Sequence, residues 1–146
     1  MDMTPLEALK FSLDKIKLSS DDTLIDLGSG AGTDVVYASK YYGCHSVGYE
    51  SNSKWCDIAN KTAIVYNVQD KVKIVNSTLF NADLSKFTVI FLFQFKYNMK
   101  KLSKKILNEV DLGKVRIIAY RNPLLGIKPK DTITFGRWNI YFYGDV

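Results

Sequence analysis

A glycine-rich turn constrains the fold of this chain more than any other feature. It follows an apolar run over 23–27 and precedes an amphipathic segment over 33–42 that Gly43 ends. The turn itself reads Asp26-Leu27-Gly28-Ser29-Gly30-Ala31-Gly32. A strand that enters a glycine turn and then a helix is the opening unit of a doubly wound α/β sheet, in which ligands bind at the carboxyl ends of the strands.

Strands and helices continue to alternate after this unit. Apolar runs predict further strands over 45–50, 72–75, 88–95 and 115–120. Between them, the periodicity predicts a helix over 53–66 and another that begins at 99 and ends at Gly113. In the helix over 53–66, one side is shared by Trp55, Ile58, Thr62 and Val65. This order of elements favours a mostly parallel sheet with helices on both faces.

The two ends of the chain carry different elements. Thr4-Pro5-Leu6-Glu7 has the pattern of a capping box with proline at the first helical position, which predicts a helix over 5–17. Near the other end, runs over 132–135 and 140–143, joined by 136–139, predict a hairpin in place of a last helix. We therefore expect an α/β, Rossmann-like doubly wound sheet of seven strands with a C-terminal antiparallel hairpin. It would form one domain over 1–146, with its core over 23–146.

Composition limits the classes of function. Twenty Lys and Arg against 15 Asp and Glu give a net charge of +5, which permits an acidic partner without requiring one. Cys44 and Cys56 lack the spacing of a metal site or a disulfide framework, so we expect two buried thiols and no metal. No run is long enough to span a membrane and residues 1–18 do not resemble a signal peptide, which favours the cytoplasm.

The glycine turn and two acids together indicate which ligand the chain binds. A dinucleotide fingerprint would place Gly or Ala at Thr33, so NAD and FAD are disfavoured. Asp26 would repel a pyrophosphate but attract an ammonium group, and Glu50, at the end of the second strand, can accept both hydroxyls of a ribose. S-adenosylmethionine carries an ammonium group, a carboxylate that the helix amides can bind, and an unphosphorylated ribose. The sequence therefore predicts S-adenosylmethionine as cofactor.

At these residues the chain resembles the class I (seven-β-strand) S-adenosylmethionine-dependent methyltransferases, most of all the small archaeal protein-lysine methyltransferases and their mitochondrial relatives. The likeness runs through residues 4–5, 26–30, 47–50 with Asn52, 89–91 and 140–143. The chain departs from the family at Ala31 and Thr33, where an acid and a base are common. The glycine turn and the resemblance together predict a cofactor site made of Thr4, Asp26, Gly28, Ser29, Gly30, Gly32, Glu50, Ser51, Thr78 and Leu79. At the adenine end, Thr78 replaces a usual Asp or Asn and Ser51 a usual apolar residue.

The segment after the fourth strand concerns the methyl acceptor. It reads Phe93-Gln94-Phe95-Lys96-Tyr97 and lacks the Asn-Pro-Pro-Tyr sequence typical of base and amide methylation. We predict Gln94, Phe95 and Tyr97 as catalytic residues, in an aromatic channel that Phe93 and Tyr120 could extend.

The predicted acceptor is a lysine of a protein substrate. A methyltransferase acting on RNA or a small molecule, and a non-catalytic cofactor-binding partner subunit, stay as alternatives. Nucleic acid is permitted but not favoured, because a lysine-rich helix is more often a solvated face. Lysines of this kind occur at 96, 100, 101, 104 and 105. His45 lies too early in its strand to act as a base, and the oligomeric state is left open.

Overall fold

The computed structural model describes residues 4–146, which contain four α-helices and seven strands besides three short 3-10 helices. The helices are α1 (Leu6–Lys15), α2 (Thr33–Tyr42), α3 (Ser53–Val65) and α4 (Met99–Glu109). The strands are β1 (Thr23–Leu27), β2 (His45–Glu50), β3 (Val72–Asn76), β4 (Val89–Leu92), β5 (Arg116–Tyr120), β6 (Asp131–Phe135) and β7 (Trp138–Gly144). Residues 1–3 of the predicted domain lie outside the described residues.

The strands form one sheet in the order β3-β2-β1-β4-β5-β7-β6. The first five strands are parallel, and β7 inserts antiparallel between β5 and β6. The predicted fold class is thus confirmed, including the closing hairpin. Because the chain turns outward in opposite directions from β1 and β4, a crevice opens at their carboxyl ends, where such sheets bind ligands.

The sheet is covered by apolar contacts on both faces. The central strand β4 is buried along its whole length, with Val89 and Phe91 in one cluster and Ile90 and Leu92 in the other. The first cluster contains residues of α1 and α2 together with Ala63 of α3, and the second contains residues of α4. A strand buried on both faces reads as a continuous apolar run, which explains why it was recognisable in the sequence.

The buried side of α3 is not the one that the sequence pattern indicated from its larger residues. Cys56, Ala59 and Ala63 face the core, while Ile58 and Val65 are exposed. Small side chains let α3 approach the glycine turn closely, since a Cβ added to Gly32 would lie 2.7 Å from the Ala59 Cβ. The close approach at Gly32 accommodates only small side chains, and this decides which side of α3 is buried.

The predicted capping box is absent from α1. The helix begins at Leu6, and no side chain caps it at Pro5. The Thr4 hydroxyl is buried and lacks a hydrogen-bond partner. Thr4 therefore faces the interior of the molecule instead of the first turn of its own helix.

Other predicted boundaries also change, and α1 ends at Lys15 instead of 17. The fourth strand ends at Leu92 instead of 95, because the Gln94 side chain turns back to donate a hydrogen bond to the Leu27 carbonyl (2.9 Å). The hairpin turn has two residues, since Phe135 pairs with Trp138. Helix α4 ends at Glu109, before Gly113. Within residues 4–146, no helix is both long and apolar enough to cross a membrane.

Candidate active site

A cleft of about 730 Å³ lies at the carboxyl ends of β1, β2, β4 and β5. Every predicted site residue lines it except Gly32. Gly32 contacts Ala59 of α3 instead, so its lack of a side chain serves the packing of α3. The cleft therefore brings together twelve residues that are spread from 4 to 97 in the sequence.

The glycine turn is attached to the end of β2. The amides of Gly28 and Ser29 both donate to the Tyr49 carbonyl, at 2.9 and 3.0 Å. The Gly30 amide donates to Glu50 Oε1 at 2.8 Å. Gly28, Gly30 and Gly32 all have left-handed φ angles, of 95°, 53° and 81°. The turn then enters α2 with no side-chain cap, which leaves the first-turn amides available to an anionic group.

Three buried polar atoms in the cleft lack a partner within the protein. Thr4 Oγ1, Asp26 Oδ2 and Ser29 Oγ are the buried side-chain oxygens or nitrogens of residues 4–146 that make no hydrogen bond. All three residues line the cleft. Since buried polar groups are nearly always paired in folded proteins, this clustering indicates a polar ligand at the methionine end of the cleft.

Glu50 holds the opposite side of the glycine turn. Its side chain is 8% exposed, and its two oxygens accept from the Gly30 amide (2.8 Å) and the Asn52 amide (2.9 Å). Each carboxylate oxygen can accept a second hydrogen bond, so both ribose hydroxyls can still bind. Glu50 is therefore structural as well as available to a cofactor.

The adenine end of the cleft is formed by the segment after β3. Thr78 Oγ1 accepts from the Phe80 amide at a long 3.4 Å, and Leu79 packs against the core. Ser51 is exposed on the other side of the cleft. Phe80, which the sequence analysis did not predict, adds an aromatic ring to this end of the cleft. The Lys101 ammonium lies 4.2 Å from the centroid of that ring.

A second acid meets Asp26 in the cleft. Asp34, in the first turn of α2, is half-buried and lines the cleft together with the buried Asp26. Burial is the largest of the causes that raise the pKa of Asp26 well above its usual range. The negative charges of Asp34 and Glu50 raise it further. Burial raises the pKa of Asp34 to about 7. The sequence analysis did not predict Asp34. The available signal was an acid eight residues after Asp26, close to Ala31 and Thr33, which carry no charge.

Gln94 links three loops at the cleft. Its Nε2 donates to the Leu27 carbonyl, its Oε1 accepts from Asn98 (3.0 Å), and its own carbonyl accepts from Asn122 (2.8 Å). A Cβ on Gly28 would lie 2.1 Å from Gln94 Nε2. Both ends of the amide are engaged, so these contacts give Gln94 a positioning role beside the glycine turn.

The aromatic residues divide into an inner and an outer pair. Phe93 packs edge-on against Tyr120 at 4.9 Å, but Tyr120 is buried and does not line the cleft, so the channel does not extend to it. Phe95 and Tyr97 are stacked with their rings 5.5 Å apart and are 58% and 79% exposed. The outer pair is open to solvent at the cleft and within reach of a large substrate.

Further cleft residues come from the ends of β4 and β5 and were not predicted. They are Asn98, Arg121 and Asn122. Arg121 has a left-handed φ of 75°, which is rare outside glycine, and its guanidinium lies 4.0 Å from the Trp138 ring centroid. A polar residue directly after a buried strand was the available signal.

Comparison with known proteins agrees with this geometry. A family model, the ANTKMT methyltransferase domain, matches residues 26–131. A protein-lysine N-methyltransferase from Saccharolobus islandicus (strain REY15A) is 28% identical over 131 residues, which are 89% of this chain and 81% of the relative.

Two solved structures share the fold. An RNA methyltransferase from Salinibacter ruber, in complex with S-adenosylhomocysteine, has a TM-score of 0.93 at 26% identity, covering 98% of this chain and 93% of that chain. A variant of MtNAS in complex with S-adenosylmethionine has a TM-score of 0.80 at 16% identity, covering 95% of this chain and 60% of that chain. The second shows likeness of fold alone.

The sheet order, the glycine turn and the acids at the ends of β1 and β2 define a class I S-adenosylmethionine-dependent methyltransferase. Within that class, the chain belongs to the ANTKMT methyltransferase domain family, whose model covers well over half of it. The predicted cofactor, S-adenosylmethionine, is thereby confirmed.

Proposed function

We propose that this protein methylates lysine side chains of protein substrates. The observation that carries the proposal is the 28% identity to the Saccharolobus protein-lysine N-methyltransferase across 89% of the chain. The cleft also supports the proposal, because its exposed Phe95 and Tyr97 present aromatic faces to an incoming ammonium or amine. A lysine side chain can reach the cleft from a folded protein surface.

The chain's own residues position the reactants, and neither of the side chains that border the approach of the amine is a carboxylate or an imidazole. S-adenosylmethionine supplies an electrophilic methyl group on a sulfonium, which the lysine nitrogen attacks. Glu50 and the glycine turn orient the cofactor, and Phe95 and Tyr97 border the approach of the amine. His45, the only histidine, is exposed at the amino end of β2, away from the cleft. The lysine proton therefore passes to water, which makes the neutral amine the limiting species.

The test uses tritiated S-adenosylmethionine with cell extract, followed by mass spectrometry of labelled protein. We expect label on lysine, and a rate that rises about tenfold per pH unit across neutral pH, because an amine with a pKa of about 10.4 is mostly protonated there. Phe95→Ala and Tyr97→Ala should lower the rate while Tyr66→Ala, at an exposed tyrosine of α3's end, leaves it unchanged. Label on another residue type would exclude lysine.

RNA methylation is the second candidate. The Salinibacter neighbour supports it, as does a row of lysines that begins at Lys96, in the cleft lining, and continues along α4. Among the ion pairs of residues 4–146, none involves Lys96, Lys100, Lys101 or Lys104. Stacked aromatic rings beside such a row are also typical of single-stranded RNA sites. Label that nuclease removes and protease does not would favour this candidate over the first.

A further inference from the structure

The charges of the cleft are separated by sign. The three acids that line it come from β1, α2 and β2, around the glycine turn, whereas Lys96 and Arg121 follow β4 and β5. The sequence is divided in the same way. Residues 86–144 hold twelve Lys and Arg against three Asp and Glu, and the rest of the chain holds eight against twelve. The side of the cleft that the exposed aromatic pair borders is therefore positively charged.

Four cations border this side of the cleft, and we call them the cationic rim: Lys96, Lys101, Arg121 and Arg137. Lys96 lies in the cleft lining between Phe95 and Tyr97. Lys101 is placed by its contact with the ring of Phe80, which is another lining residue. The side chains of Lys96, Lys101 and Arg137 are exposed, and that of Arg121 is half-buried. Three of the four charges are therefore accessible to a large partner.

The two arginines of the cationic rim share one aromatic ring. Trp138 begins β7 and packs against the core. The guanidinium of Arg121 lies 4.0 Å from the centroid of its ring, and that of Arg137, in the two-residue hairpin turn, lies 5.6 Å from it. The Arg121 amide donates to the Asn139 carbonyl (2.8 Å), which holds the end of β5 beside the start of β7. The ring thus orients Arg137 next to the cleft, where its planar fork can bind a carboxylate.

The cationic rim lies on both sides of the cleft. Phe80, which carries Lys101, packs against the apolar cluster on one face of the sheet. Trp138, which carries the two arginines, packs against the cluster on the other face. A peptide that crosses the carboxyl edge of the sheet beside Phe95 therefore passes cations before and after it reaches the cleft.

The neighbouring segments supply no acid to neutralise this charge. Residues 93–104, 121–130 and 132–144 contain neither Asp nor Glu. Among the ion pairs of the described residues, none involves Lys96, Lys101 or Arg137. An acceptor lysine reaches the cleft as an ammonium group, which such a surface repels. A substrate that brings carboxylates close to its lysine reverses the sign of this interaction.

We propose that the cationic rim docks an acidic segment of a protein substrate, so that the methylated lysine has Asp or Glu on both sides of it in sequence. The inference rests on the proposed lysine methylation and deepens it. Charge complementarity selects the partner: the acids of the cleft lie at the glycine turn, and the cations lie where the substrate enters.

The experiment measures binding of fluorescent, end-capped peptides to the wild-type protein saturated with S-adenosylhomocysteine, by anisotropy. One peptide has a central lysine with two glutamates on each side, and its matched control has glutamines instead. We expect the glutamate peptide to bind about tenfold more tightly at low salt, because each exposed ion pair changes affinity about two- to fivefold. High salt should remove most of the difference. Equal affinities for the two peptides at low salt would overturn the proposal.

Tetrauridylate, with the same net charge as the glutamate peptide, tests for RNA at the same surface. We expect it to bind more weakly than the peptide. Tighter binding of tetrauridylate would assign the cationic rim to RNA and overturn the acidic protein partner.

Variants assign the preference to the cationic rim. Lys96→Gln and Arg137→Gln should each weaken binding of the glutamate peptide about two- to fivefold and leave the glutamine peptide unaffected. Lys73→Gln, at an exposed lysine of β3 on the opposite edge of the sheet, should match the wild type. The affinity of Arg137→Gln for S-adenosylhomocysteine checks that its cofactor site is intact. A glutamate preference that survives in both rim variants would place the acidic site elsewhere and refute the role of the rim.

The same peptides separate this inference from the proposed function when S-adenosylmethionine replaces S-adenosylhomocysteine. Equal binding of the two peptides, with label on the lysine of both, would reject the acidic segment and leave lysine methylation standing. Preferred binding of the glutamate peptide with no label on its lysine would reject the lysine acceptor and leave the acidic partner standing. We expect preferred binding together with preferred labelling of the glutamate peptide.

Discussion

Replacing Gly28 with alanine tests the contact on which the cofactor turn depends. Gly28 has a φ of 95°, and an added Cβ would lie 2.1 Å from Gln94 Nε2. The left-handed backbone costs a non-glycine residue about 1–2 kcal/mol. Displacing the Gln94 amide also breaks its bonds to Leu27 and Asn98, each worth about 0.5–1.5 kcal/mol. We expect Gly28→Ala to lower the free energy of unfolding by about 3 kcal/mol.

Gly126 offers a matched control. Its φ of 81° is also left-handed, but nothing lies within 4 Å of an added Cβ. Gly126→Ala should therefore cost only the backbone term, about 1–2 kcal/mol. Urea unfolding followed by fluorescence of Trp55 and Trp138 measures both variants, and S-adenosylhomocysteine binding should fall only in Gly28→Ala.

A double-mutant cycle isolates the clash itself. In a Gln94→Ala background the side chain that meets the added Cβ is gone, so Gly28→Ala should cost no more than Gly126→Ala does. Equal costs of Gly28→Ala and Gly126→Ala in the wild-type background, or a Gly28→Ala cost that Gln94→Ala does not reduce, would refute the reasoning.

Three further substitutions probe other parts of the structure. Glu50→Ala should weaken S-adenosylhomocysteine binding at least tenfold, which calorimetry measures. It should also lower the free energy of unfolding by about 1.5–3 kcal/mol, because the carboxylate accepts from two backbone amides. Unchanged stability in urea unfolding would contradict the structural role of Glu50. Arg116→Ala should cost about 3 kcal/mol of stability by leaving the buried Asp22 carboxylate without its ion-pair partner, while ligand affinity stays unchanged. Asp34→Asn should make the ligand-free protein more stable than the wild type at pH 8, on the order of 2 kcal/mol, and about equal at pH 4. The folded wild type keeps a proton up to a pKa of about 7 that the unfolded chain loses near 4, so its stability falls as pH rises between these values. Urea midpoints that show no such pH-dependent gap would contradict the raised pKa.

The elements next to the cofactor turn follow from local chemistry. The strand over 23–27, the glycine turn and the helix ended by Gly43 each depend on residues that are neighbours in sequence. Parallel strands then bring their carboxyl ends to one edge of the sheet, so Asp26 and Glu50 had to meet there. The sheet and its closing hairpin were therefore predictable from local patterns, and the cofactor from the residues at this edge.

Contacts between distant elements decided the rest. The buried side of α3 depends on how closely that helix approaches Gly32, which favours Cys56 and Ala59 over the larger Ile58. Thr4 fits a capping box locally, yet its hydroxyl lies in the cleft because α1 packs against the sheet. A helical side chain leans toward the amino end of its helix, which points Asp34 back toward Asp26. Sequence spacing alone could not show that Asp26 and Asp34, eight residues apart, line one cleft, because their positions relative to each other are set only when α2 packs on β1 and β2.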